Sequence, residues 1–124
     1  FRYQNENDIL VLNYDNEITR ECAKEAKSKV IFFSGKEKLE NGFIVDNKII
    51  KKCEDGIRTH ILDCKDVLLR GEHNFENIAT AIAATSSLAD IDKSIDTIKE
   101  FKAVEHRLEY VRTIDDVKWY NDSV

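Results

Sequence analysis

Two short apolar runs, Ile9-Leu10-Val11-Leu12 and Val30-Ile31-Phe32-Phe33, constrain the fold of this chain more than any other feature. Each is continuous, the pattern of a strand buried on both faces. Between them Ile18, Cys22, Ala23 and Ala26 keep helical spacing, with Asp15 or Asn16 placed to cap and Glu17 in the first turn. Strand, helix and strand within about 25 residues predicts a βαβ unit with parallel strands and a right-handed crossover. Ligands of such sheets gather beyond the carboxyl ends of the strands. Asn13 and Asp15 stand at such an end. They line a site or complete a satisfied strand-to-helix turn, and the turn is the simpler expectation.

The middle of the chain changes character. Gly42-Phe43-Ile44-Val45, Asp46-Asn47 and Lys48-Ile49-Ile50 read as a β-hairpin around a tight turn. Asp55-Gly56 marks another turn, Ile57 to Leu62 a strand, and Val67-Leu68-Leu69 a short one running into Arg70-Gly71. His60 has no carboxylate or cysteine at metal spacing, so a surface or packing role is expected.

From Gly71 to Ala84 a loop turns into a helix. Phe75, Ile78, Ala79, Ile82 and Ala83 fall at i, i+3, i+4, i+7 and i+8, one apolar stripe. The alanines let such a helix lie close against a sheet. Asn74 and Asn77 sit three apart in the first turn, beside that stripe. Two amides there suit a ligand that needs a donor and an acceptor, such as an adenine edge. Alternatively Asn74 caps the helix, a position where Asn is favoured.

Asp90 and Asp92 then restart the chain, and Ile91, Ile95, Ile98 and Phe101 predict a second amphipathic helix, antiparallel to the first. Leu108 to Arg112 and Val117 to Tyr120 read as a hairpin around Asp115-Asp116. His106-Arg107 precedes it and Asn121-Asp122-Ser123 follows. An Arg offers a planar fork for phosphate, and an Asp at a strand end can accept from ribose hydroxyls.

Composition bounds the function. A chain of 124 residues makes one domain and at most part of a second. Its 42% apolar and 35% charged content is that of a soluble globular protein. A net charge of -5 without a basic cluster argues against nucleic acid. No run reaches membrane-spanning length and no signal peptide precedes the first strand, so a cytoplasmic protein without membrane association is expected. Cys22, Cys53 and Cys64 form no C-x-x-C pair and are expected as buried, reduced side chains. The chain begins at Phe1 and holds no Met, which reads as a piece of something longer. There is no G-x-x-G-K-[ST] loop, no metal cluster and no Ser-His-Asp set, so this stretch alone should not turn over a nucleotide.

Taken in order, Gly71-x-His73-Asn74-x-x-Asn77, His106-Arg107-x-Glu109-x-Val111 and Asn121-Asp122-Ser123 resemble the ATP-dependent Mur ligases. The first piece is shared across that family and, loosely, with folylpolyglutamate synthases. The later two point to the branch that adds D-glutamate. Asn13-Tyr14-Asp15-Asn16 is similar to the family's N-x-D-D segment, with Asn16 replacing the second acid. Ala103 stands where a Gly is common, and Val124 where many members have Lys.

The resemblance implies an α/β fold, part of a P-loop-type ATPase domain followed by the first β-hairpin of a Rossmann-like domain. Residues 1–104 would be the second half of the central domain and 105–124 the start of the next. It implies that Asn74 and Asn77, with His73, hold adenine, that Arg107 reaches the phosphates or ribose, and that Asp122 takes the ribose hydroxyls. The P-loop and the Mg2+ ligands would lie outside this stretch, and no metal ligand is expected within it. Small-molecule substrates follow for the whole enzyme: ATP, D-glutamate and UDP-N-acetylmuramoyl-L-alanine, joined through an acyl phosphate in peptidoglycan precursor synthesis. The piece itself would be inactive, and its hairpin 108–120, with Trp119 and Tyr120, is expected to self-associate. A fragment of a sister ligase or of a folylpolyglutamate synthase, and a non-catalytic adenine-nucleotide module, are the alternatives.

Overall fold

Ile9–Asn13 (β1) and Lys29–Ser34 (β2) run parallel, Leu10 opposite Val30 and Leu12 opposite Phe32, with helix α1 (Glu17–Glu25) between them. The structure is a computed structural model and describes residues 1–102 and 109–121. Asn16 is the N-cap of α1, its Oδ1 accepting from the Ile18 N–H at 2.9 Å. The βαβ unit is the one predicted, but its burial is not. Along both strands most side chains are only half-buried, because α1 buries none of its residues. Ile18 is 74% exposed, and Cys22 is half-buried. The apolar spacing of α1 therefore marks an incompletely covered face.

Gly42–Asp46 (β3), Ile49–Glu54 (β4) and Ile57–Asp63 (β5) continue the sheet in the order β1-β2-β3-β4-β5. β3, β4 and β5 are antiparallel. β2 and β3 are parallel and joined by two residue pairs, Phe33 with Phe43 and Ser34 with Ile44. Gly42 opens β3 at φ +127°, and a Cβ there would fall on the carbonyl oxygen of Phe32. Both hairpin turns hold two central residues at positive φ: Asn47 (51°) and Lys48 (61°), then Asp55 (50°) and Gly56 (79°). That backbone twist matches the strands it joins. The first turn lies one residue later than predicted. Asp46 stays in the ladder opposite Ile49, and its carboxylate takes Lys51 Nζ at 2.7 Å. The Lys51 ammonium holds that carboxyl below its ordinary pKa.

Helix α2 (Glu72–Thr85) lies on one face of this sheet and buries Phe75, Ile78, Ala79, Ile82 and Ala83, the predicted stripe. They meet Phe43, Ile50, Leu62, Cys64 and Val67, with Val11, Ile31 and Phe33 at the margin. A smaller cluster of Leu39, Ile44 and Cys53 covers the other face beside Tyr14 and Phe32. Burial raises the Cys53 thiol and pushes that of Cys64 up to about 11, so both are inert as nucleophiles. Val67 to Leu69 form no strand. A 3₁₀ turn at Cys64–Asp66 ends β5, and Val67 drops its side chain into the core. Its apolar character serves packing, not a ladder.

Helix α3 (Ile91–Glu100) is capped by Asp90, which accepts from the N–H groups of Asp92 and Lys93. Ile95 and Ile98 pack against the main core. Glu109–Ile114 (β6) and Val117–Asn121 (β7) form a separate antiparallel sheet around Asp115 and Asp116, at φ 48° and 62°. Tyr110, Val111, Ile114, Val117, Trp119 and Tyr120 are 40–57% exposed on it. Among the described residues no helix is long and apolar enough to cross a membrane.

Candidate functional site

The amino end of α2 begins earlier than the capping reading requires. Gly71 is the N-cap, at φ 98°, and its carbonyl accepts the Asn74 N–H at 3.0 Å. Asn74 is thus the third helical residue, which corrects its reading as a cap. Its Nδ2 donates to the Arg70 carbonyl at 2.6 Å, and its Oδ1 accepts from Asn77 Nδ2 at 3.4 Å. Asn77 is exposed, and its Oδ1 has no hydrogen-bond partner among the described residues. The ring of His73 folds back over Gly71, where a Cβ would come within 2.7 Å of His73 Cε1.

Beside Asn77 opens a cavity of about 310 Å³. Leu69, Ile78, Ala81, Ile98 and Phe101 make its walls with Asn77 and Thr97, and the lining is almost wholly apolar. The first half of α2 therefore faces the last turn of α3, which makes the two helices antiparallel as predicted. A mostly apolar hollow with a few placed polar groups is the usual form of a small-molecule site.

The carboxyl ends of β1 and β2 are occupied by their own turn. Asp15 Oδ1 accepts from Ser34 Oγ at 2.5 Å, and Oδ2 accepts from the Gly35 N–H at 2.8 Å. Asn13 Oδ1 accepts from the Asp15 N–H at 2.8 Å. Ser34 Oγ, buried, in turn accepts from the N–H groups of Lys36 and Glu37. These residues complete the turn, the simpler of the two expectations. Sequence reading passed over Ser34, and also over Lys48, Glu72 and Glu76, which line a second hollow with Gly35 and Phe75. A Cβ on Gly35 would lie 2.5 Å from Glu76 Oε1. Only Glu72 and Glu76, inside the motif from Gly71 to Asn77, carried any local signal. His60 does find a carboxylate, its Nε2 lying 2.9 Å from Asp63 Oδ2 on the surface. Among the described residues no group of three or more His, Cys, Asp or Glu could hold a metal. His106, Arg107 and Asp122 lie outside the described residues.

Comparison with known proteins places the fold in a family. Residues 1–85 match the family model of the Mur ligase middle domain. Over 124 residues the chain is 44% identical to the UDP-N-acetylmuramoylalanine--D-glutamate ligase of Acetivibrio thermocellus, covering 100% of this chain and 27% of that protein. It is 42% identical to the protein of that name in Clostridium novyi, covering 100% of this chain and 26% of the relative. The chain thus spans about a quarter of the length of these relatives. Among solved structures, MurF of Acinetobacter baumannii superposes with a TM-score of 0.66 at 14% identity, over 93% of this chain and 25% of that one. A pseudomurein peptide ligase type C of Methanothermus fervidus gives 0.56 at 20%, over 83% and 29%. At such identities the shared property is the fold.

Proposed function

The chain belongs to the Mur ligase family, and from that membership we propose that it is a stretch of an ATP-dependent ligase adding D-glutamate to UDP-N-acetylmuramoyl-L-alanine in the cytoplasm. In this reaction ATP phosphorylates the alanine carboxylate, and the amine of D-glutamate displaces phosphate to leave an amide. Identity of 44% and 42% to two relatives bearing that name supports the choice of amino acid. Residues 1–104 are read as the second half of the ATPase domain and 105–124 as the opening of the next.

One observation carries the role of this stretch: Asn77, an exposed residue, lines an apolar cavity between α2 and α3. A purine needs an apolar slot for its faces and an amide for its edge. His73 lies one turn away, and Arg107 and Asp122 are assigned to the phosphates or ribose and to the ribose hydroxyls. With the Mg2+ ligands assigned elsewhere, no three His, Cys, Asp or Glu cluster as a metal site among the described residues. Their part is to bind and orient the nucleotide, and orientation of reactants alone can lower a barrier by several kcal/mol.

The test uses the full-length protein and follows ADP release. D-glutamate is the expected acceptor over L-alanine, meso-diaminopimelate or folate, and turnover with one of those instead would reassign the branch. Asn77→Ala is expected to raise the KM for ATP about tenfold with kcat nearly unchanged, as loss of a binding contact remote from the reacting phosphate does. An unchanged KM would remove the adenine role.

The hairpin of β6 and β7 is proposed to mediate self-association when this stretch is isolated. Six large apolar side chains stand exposed on its two short strands, more than a two-stranded ribbon can cover for itself. Light scattering of the isolated 124-residue piece should show a dimer or larger; a monomer at high concentration would discard the idea.

A further inference from the structure

We propose that Asn74 is a positioning residue that fixes the polarity of the Asn77 amide, so that the site takes a 6-aminopurine and rejects a 6-oxopurine. This rests on the adenine reading of Asn77 given above and adds the means of discrimination. The backbone carbonyl of Arg70 only accepts, so Asn74 must turn its NH2 toward it, at 2.6 Å. That leaves Asn74 Oδ1, an acceptor, on the side of Asn77. Asn77 must then offer its own NH2, and does so at 3.4 Å. Rotating the Asn77 amide by half a turn would set oxygen against oxygen. Rotating both amides would set the Asn74 oxygen against the Arg70 carbonyl.

The consequence lies at the mouth of the cavity. One Asn77 N–H and Asn77 Oδ1 remain for a ligand, in a fixed left-right order. Oδ1 has no partner among the described residues. An outward acceptor beside an outward donor matches the amino group and neighbouring ring nitrogen of adenine, the pairing by which Asn recognises that base elsewhere. Hypoxanthine and guanine place a carbonyl oxygen where adenine has its amino group. Asn77 Oδ1 would then face a second acceptor, with no flip available to relieve it. A site built for one hydrogen-bond pattern rejects the mismatched analogue because its polar groups are left unpaired.

The experiment compares ATP with ITP, which differs by a 6-oxo group and the proton on N1, in initial rates of the full-length ligase. Three variants separate the roles. Asn74→Ser keeps a hydroxyl able to reach the carbonyl four residues back, the tie to Arg70, but is too short for Asn77. Asn74→Ala removes both the tie to Arg70 and the acceptor facing Asn77, and Asn77→Ala removes the reader. Asn74→Ser should lower the ATP-over-ITP ratio of kcat/KM about tenfold, chiefly through KM, with the melting temperature nearly unchanged. Asn74→Ala should lower the ratio to the same extent. If Asn74→Ser leaves the ratio intact while Asn77→Ala abolishes it, the positioning role is wrong and the adenine reading survives. If Asn77→Ala changes neither the ATP KM nor the ratio, the adenine reading itself fails and takes this proposal with it. Should Asn74→Ser not fold, a parental ratio in Asn74→Ala overturns the proposal and a low ratio supports it.

Discussion

Gly42→Ala is expected to destabilise the protein by about 3–5 kcal/mol, among the largest effects a single methyl group can have. Two penalties combine at this residue. Its φ of +127° lies where an L side chain is strained, and the added Cβ would meet the backbone oxygen of Phe32. A backbone atom cannot swing aside as a long side chain does. Relief would have to come from separating β2 and β3, which share two residue pairs. Urea unfolding of the full-length protein, followed by a signal from this domain, measures the effect. Gly56→Ala makes the control: its φ is +79°, and nothing lies within 4 Å of the new atom. It should cost about 1 kcal/mol, the backbone penalty alone. Equal effects at the two positions would mean that the close approach at Phe32 does not matter.

Ala79→Leu should rank next, at about 3 kcal/mol. Ala79 is 0% exposed, as is Ala83 one turn on, and both belong to the cluster with Phe43, Ile50 and Ile82. Interiors are packed as densely as organic crystals, so three added carbons must displace either the helix or the sheet beneath it. Moving the helix would also carry Asn74 and Asn77 away from α3, so nucleotide affinity should fall along with stability. Ala84→Leu, at an exposed position of the same helix, should stay within about 0.5 kcal/mol of the parent. Thermal unfolding with and without ATP reads both quantities. A neutral Ala79→Leu would show that α2 rests on the sheet more loosely than its buried alanines indicate.

What was legible in the sequence was local and periodic. The stripe from Phe75 to Ala83 announces both the helix and its buried face, because spacing alone decides it. The runs at Ile9 and Val30 announce parallel neighbours, and Asp55-Gly56 announces its turn, because few residue pairs adopt that backbone so readily. Where two local preferences compete, the pattern gives less. Lys48 sits at φ 61° although lysine has no taste for it, because Asp46 pairs with Ile49 and leaves Asn47 and Lys48 as the two turn residues. Asn74 is a good cap by type, yet Gly71 takes that place and leaves the amide for Arg70 and Asn77. Val67 looks like a strand residue because a plug in a core and a strand in a sheet draw on the same side chains.

The candidate site divides in the same way. Asn74 and Asn77 were found because they share one turn of helix. The hollow of Lys48, Glu72 and Glu76 was not, since a hairpin and a helix distant in sequence make it together. The apolar wall beside Asn77 could not be foreseen either, although Ile98 and Phe101 had been assigned to one face of α3. Only the return of α3 alongside α2 turns that face into the side of a cavity.

The two-pair junction of β2 with β3 has a further consequence for how the domain breathes. Parallel strands on one side and the antiparallel ribbon on the other can open as separate cooperative units, with α2 as their shared roof. A ligand clasping the first turn of that roof would restrain both at once. Amide hydrogens of β4 and β5, far from any nucleotide, would then exchange more slowly with deuterium whenever the nucleotide is held.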